Sequence, residues 1–261
     1  MRYILPISLL VLSCSGAVSA QQSNLKQWFN SVDYTKLDSK LNSADTYAVT
    51  THYYFEEQQS SGVWDDFGYL DTDSNIGMRY FDSDNDNTLG AFGEGFYGNV
   101  FATFEIADID NSDNYSLGLG YLFTESLKVS ARMQQFEYED TIYLFEAQYN
   151  HQINDTDYIG FTIETDDEIE SWDISSRYFA HLTDDNYLAL DVSYLNIGED
   201  PTFNVLANYY FSKNLALGIG SNDSDLVLEG KYFFNNSYYL TAGYTDYEQS
   251  DVYSIKFVAQ F

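Results

Sequence analysis

Cysteine occurs once in 261 residues, at Cys14. One thiol rules out a disulfide framework within the chain and leaves no paired Cys/His set for zinc. Proline occurs twice, so almost nothing interrupts a hydrogen-bonded ladder. Bases are scarce: 11 Lys and Arg stand against 41 Asp and Glu, a net charge of −30. A polyanion such as nucleic acid is not a partner for such a surface. Long apolar runs are missing too. None approaches the 18 residues that a membrane-spanning helix needs, so no helical span is expected.

Aromatics are abundant, with 25 Tyr and 19 Phe. They are also periodic, and the C-terminal stretch from Asp251 to Phe261 shows the period most clearly. Tyr253, Ile255, Phe257, Ala259 and Phe261 fall on one side, and Ser254, Lys256, Val258 and Gln260 on the other. Period two is the mark of a strand with one apolar face. At about 3.3 Å per residue and a tilt near 45°, such a strand rises roughly 25 Å, the height of the apolar band of a membrane barrel.

The other end of the chain agrees with export. Arg2 supplies a positive start, Ile4 to Leu12 a short apolar stretch, and Val18-Ser19-Ala20 a small-residue cleavage site. Residues 1–20 therefore read as a signal peptide, and residues 21–261 as one barrel domain. Leu12-Ser13-Cys14 is a loose lipoprotein box whose Leu12 is too large for its position.

Residues 21 to 27 read as a polar lead, Trp28 to Leu37 as a weak first strand, and Asp45 to Phe55 as a clear one. Glu56 to Val63 is expected to turn. Asp66 to Phe81 reads as a long strand interrupted at Asp71-Thr72-Asp73, Asp82 to Asn87 as a charged loop, and Thr88 to Phe104 as two strands divided around Gly95. From Val100 onward the alternation is regular. Leu117 and Leu119, Leu190 and Val192, and Ile255 mark faces turned to lipid, with polar residues between them. Residues such as Ala189 are expected to point into the bore. This segmentation gives sixteen strands, or fourteen if the doubtful early pieces merge.

Tyr53-Tyr54-Phe55, Tyr121-Leu122-Phe123, Arg177-Tyr178-Phe179, Tyr209-Tyr210-Phe211 and Tyr232-Phe233-Phe234 each precede a short polar turn. Aromatics at one end of alternate strands suit an interfacial girdle. Together with the leader, Ala44-Asp45-Thr46-Tyr47-Ala48-Val49 and the terminal Phe261, they make the chain resemble the putative general porin family of Gram-negative outer membranes. The resemblance implies an all-β, transmembrane, antiparallel up-and-down β-barrel with short periplasmic turns. It also implies a passive diffusion channel for small hydrophilic solutes in the outer membrane. The terminal strand, with Tyr253, Ile255, Phe257 and Phe261, would be read by the barrel-assembly machinery. Outer-membrane lipid and lipopolysaccharide would surround the barrel, and a homo-oligomer stays open.

With apolar faces outward, Glu105, Lys128, Arg132, Glu146, Glu164, Asp173, Arg177, Asp191, Glu229, Lys231 and Lys256 would line the pore. Opposed charges there can filter solutes by sign. The turns that carry Asp108, Asp110 and Asp113, Asp166 to Glu170, Asp223 and Asp225, and Asp246 to Asp251 form an acidic outer rim, so a cation preference is expected. Asp82-Ser83-Asp84-Asn85-Asp86 begins like a calcium loop, but Asn87 replaces the required Gly and Gly93 the closing Glu. His52, His151 and His181 stand beside no outer-facing nucleophile, so no catalytic site, metal or cofactor is expected. The alternative reading is a narrow, non-conducting barrel that acts as a receptor, an adhesin or a structural protein.

Overall fold

The computed structural model describes residues 25–40, 43–84, 86–137, 140–197 and 201–261. The expected leader lies outside them, as does Asn85 of the charged loop. Among the described residues every regular element is a strand: β1 (Leu25–Ser39), β2 (Ser43–Gln59), β3 (Asn75–Ser83), β4 (Asn87–Tyr97), β5 (Val100–Ile106), β6 (Tyr115–Thr124), β7 (Leu127–Gln135), β8 (Ile142–Gln152), β9 (Tyr158–Asp166), β10 (Ser171–Thr183), β11 (Asn186–Ile197), β12 (Thr202–Ser212), β13 (Leu215–Asn222), β14 (Asp225–Asn235), β15 (Tyr238–Tyr247) and β16 (Ser250–Gln260). Each pairs antiparallel with its sequence neighbours, and β1 pairs with β16 to close the barrel. Closure matters because no strand edge is left with unpaired N–H and C=O groups.

The first strand is not weak. Its alternation is blurred by Asn30 and Lys36, but it runs for 15 residues and pairs along its length with both β2 and β16. It takes Leu25 to Gln27 out of the expected polar lead. The last residue seals the seam. Phe261 N donates to Trp28 O at 2.9 Å, and Phe261 O accepts from Gln27 N at 2.6 Å and Trp28 N at 2.9 Å. An even strand number puts both termini at one end, here the terminal end; the other is the distal end.

The alternation is reproduced as two faces. Leu119, Ile219, Leu217, Ile255 and Ile163 are among the exposed apolar side chains of the outer wall. Four girdle triplets place their first and third rings outside, in edge-on pairs: Tyr53 with Phe55, Tyr121 with Phe123, Tyr209 with Phe211 and Tyr232 with Phe234. In the last three the register shifts across the third ring, so Phe123, Phe211 and Phe234 are skipped by the ladder. A bulge of this kind bends the strand end and aims the extra side chain. Arg177-Tyr178-Phe179 departs from the series. Strand β10 runs on to Thr183, its bulge falls at Leu182, and Phe179 turns inward, fully buried.

Three early expectations are corrected. The long strand from Asp66 is not formed: β3 starts only at Asn75, and residues 60–74 are an irregular connection. The break expected at Gly95 falls at residues 98–99, where Gly98 takes φ = 60°, a left-handed value that suits glycine. The terminal-end turns are short except for this one connection, residues 60–74, which starts at that end and folds into the bore.

Candidate functional site

The inward connection is held by side chains from across the bore. Asp65 accepts from Lys231 Nζ at 2.9 Å and Tyr210 Oη at 3.2 Å. Asp66 accepts from Tyr158 Oη at 2.7 Å and faces Arg177 Nη2 at 3.1 Å. The Trp64 carbonyl accepts from Gln260 Nε2 at 2.6 Å, and Tyr69 Oη meets Thr162 Oγ1 at 2.7 Å. Lys128 Nζ reaches the Asp71 carbonyl at 2.9 Å. Strands β7, β9, β10, β12, β14 and β16 thus all grip one connection. Asp65 and Asp66 have side chains only 5% and 2% exposed. A carboxylate so buried requires a cation and further donors, and both are present. Burial raises the Asp71 carboxyl above its usual range, against the opposing pull of the Asp73 N–H and Lys128.

Beneath these polar contacts lies a dry apolar cluster. Val63 packs with Tyr158, Phe179, Tyr187, Ala189, Tyr210, Ala216 and Phe233, and Trp64, Tyr69 and Tyr239 flank it. Val63, Phe179, Ala189, Tyr210, Ala216 and Phe233 have no solvent exposure. Full burial of a Val- or Phe-sized side chain contributes about 1.5–3 kcal/mol. The middle residue of a girdle triplet thus acts apart from its neighbours. Tyr210 and Phe233 point in to pack the connection, while the rings on either side point out to lipid. Gly62 lies flat on the Tyr187 ring, where a Cβ would overlap it. Ala189 does point inward as its strand period implies, but into this cluster rather than into water.

Alternation and register place the sequence-picked charges on the face opposite the exposed apolar residues, and the structure pairs all of the basic ones. Lys128 meets Glu94 at 2.5 Å, and Arg132 meets Glu164 at 2.6 Å. Arg177 adds Asp191 at 3.3 Å to Asp66. Lys231 adds Glu229 at 3.4 Å to Asp65, and Lys256 meets Asp33 at 3.3 Å. Glu105, Glu146 and Asp173 form no such pair among the described residues. Asp33, Glu94, Asp65 and Asp66 were missed in sequence: the first two sit in strands with blurred alternation, Asp66 opens a supposed strand, and Asp65 stands just before it. Arg79 was missed as well, and its guanidinium lies 5.5 Å from the centre of the Phe92 ring.

A closed barrel of sixteen strands with an apolar outer wall and a polar, charged bore is a membrane barrel of the porin class. The family model described as putative general bacterial porin matches residues 1–261, and the chain belongs to that family. It is an outer-membrane porin. Its fold is similar to that of the outer-membrane protein Omp33 of Acinetobacter baumannii, with a TM-score of 0.58, 11% identity, and 92% of this chain and 100% of that one covered. Pseudomonas putida OprB, in a low-pH structure, gives a TM-score of 0.57 at 14% identity, covering 91% and 93%. A mutant porin of Rh. blastica gives 0.54 at 9% identity, covering 90% and 99%. No curated protein matches in sequence.

Proposed function

We propose that this porin passes small hydrophilic solutes by diffusion, prefers cations, and is throttled at its terminal end by the inward connection. The observation that carries the sign preference is the pairing of Lys128, Arg132, Arg177, Lys231 and Lys256, each with a carboxylate. No base among them is left to attract anions; Arg79, against the Phe92 ring, has no carboxylate partner among the described residues. Glu105, Glu146 and Asp173 have no ion-pair partner among the described residues. The acidic turns around residues 108–113, 166–170, 223–225 and 246–251 lie at the distal end, while Asp155, Asp157, Asp184 and Asp185 lie in terminal-end turns. An acidic mouth raises the local cation concentration at low salt.

In a planar bilayer under a salt gradient, the reversal potential will have the sign of a cation-preferring channel. The preference will shrink as salt rises, because the Debye length falls from about 30 Å at 0.01 M to about 3 Å at 1 M. An anion preference at low salt overturns the sign. No conductance under any voltage favours the closed barrel with a receptor or structural role, a reading supported by the dry cluster across the bore.

The terminal end faces the periplasm in this reading, and Phe261 serves assembly. Its main chain closes β16 on β1, and its ring packs edge-on against Tyr238 at 5.6 Å between centres. Deleting Phe261 removes those bonds and the aromatic end that the assembly machinery would read. The deletion will lower the fraction of heat-modifiable, folded barrel on gels. Unchanged folding would reject this role.

A further inference from the structure

Above the inward connection, on the β10 to β15 side, the bore keeps a cavity of about 580 Å³. Its floor is Gly68 and Tyr69 of the connection, and it rises to Asn222, beside the distal turn at 223–224. We propose that this cavity is a binding site for small neutral polyhydroxylated solutes, such as mono- and disaccharides, which rest there during passage. The proposal deepens the diffusion reading and rests on it.

Three observations point to that ligand class. The size falls within the roughly 300–1,000 Å³ of small-molecule sites. The walls carry neutral groups that both give and accept hydrogen bonds, namely Ser175, Ser193, Asn204 and Thr245. A polyol presents the same double character along its length. The cavity's cation is already spent, since Arg177 binds both Asp66 and Asp191 and the three groups together stay net negative. An anion therefore finds no free cation there.

Asn204 and Ser193 form one polar edge of the cavity, where Asn204 gives one Nδ2 hydrogen to Ser193 Oγ at 3.2 Å. The Ser193 hydroxyl proton and the second Asn204 Nδ2 hydrogen are the groups a solute hydroxyl would meet, directly or through water. Leu206 and Val227 add a small aliphatic surface, which suits the C–H face of a sugar ring. An ion would gain nothing from that surface.

The test uses the folded barrel in bilayers and in detergent. Maltose added on the distal side should interrupt single-channel current in proportion to its concentration, and calorimetry should register its binding. Gluconate, a charged relative, should do neither. Asn204→Leu removes the amide donor beside Ser193 and should weaken maltose binding about tenfold, as loss of one buried hydrogen bond predicts. Ser193→Val should act in the same direction. An open channel with neither current block nor binding heat overturns the site and leaves the diffusion reading standing. Binding without any conductance upholds the site and fails the diffusion reading. Equal binding of gluconate, or no change in Asn204→Leu, overturns the proposal.

Discussion

Replacing residues 62–72 by a tight turn raises single-channel conductance several-fold while the sheet stays intact. The connection contributes no rung to the barrel ladder; β2 and β3 pair on their own from Tyr54 and Asn75 upward. What it contributes is the obstruction, through Val63 and the rings around it. Should the excision fail to fold, a gentler variant asks the same question. Asp65→Asn with Asp66→Asn removes both carboxylates from the connection. Lys231 then keeps Glu229 and Arg177 keeps Asp191, so no cation is stranded in the wall. The reverse choice, removing Lys231 and Arg177, would leave buried carboxylates alone at about 3–5 kcal/mol each. Conductance no higher than that of the parent in both variants would show that the connection does not limit flow.

The second large effect separates the two faces of one strand. Ile255 is 50% exposed on the outer wall. Ser254, its neighbour, faces inward, with its Oγ lying over Gly243. Arginine at the bilayer midplane of an outer wall costs about 2–4 kcal/mol. Ile255→Arg should therefore lower the urea midpoint of the folded barrel sharply, and Ser254→Arg should hardly move it. Ala189→Arg makes a third case. The inward direction alone would make it mild, but its site is dry and filled, so it should destabilise as strongly as Ile255→Arg. Equal behaviour of Ile255→Arg and Ser254→Arg would reverse the assignment of faces.

Most of the barrel was legible because a lipid-facing wall imposes period two on every strand. Leu117 and Leu119, or Leu215 and Leu217, have no freedom to do otherwise. The strand number emerged from the same rule, even where two boundaries were misplaced. The inward connection was not legible. Val63-Trp64-Asp65-Asp66-Phe67-Gly68-Tyr69-Leu70 mixes apolar and acidic residues much as a strand does, and its partners are remote in sequence. Asp65 meets Lys231 across 166 positions, and Trp64 meets Gln260 across 196. One signal was present. Tyr158, Phe179, Tyr210 and Phe233 all lie on inward faces near the terminal ends of their strands. A water-filled bore has no use for rings there, so their presence implied something apolar to cover.

The remoteness of those partners also sets an order of events. The connection follows the second strand, yet its ion pairs and its apolar bed come from the ninth strand onward. It cannot settle until the late strands stand beside one another, and Gln260 is in place only when the last strand has met the first. Closing so long a span gains nothing until the far contacts exist. The nascent cylinder is therefore wet inside, and it dries only as its final step. A pulse of hydrogen exchange during refolding would find the wall amides protected before the Ser61 amide, which bonds to the Asp66 carbonyl within the connection.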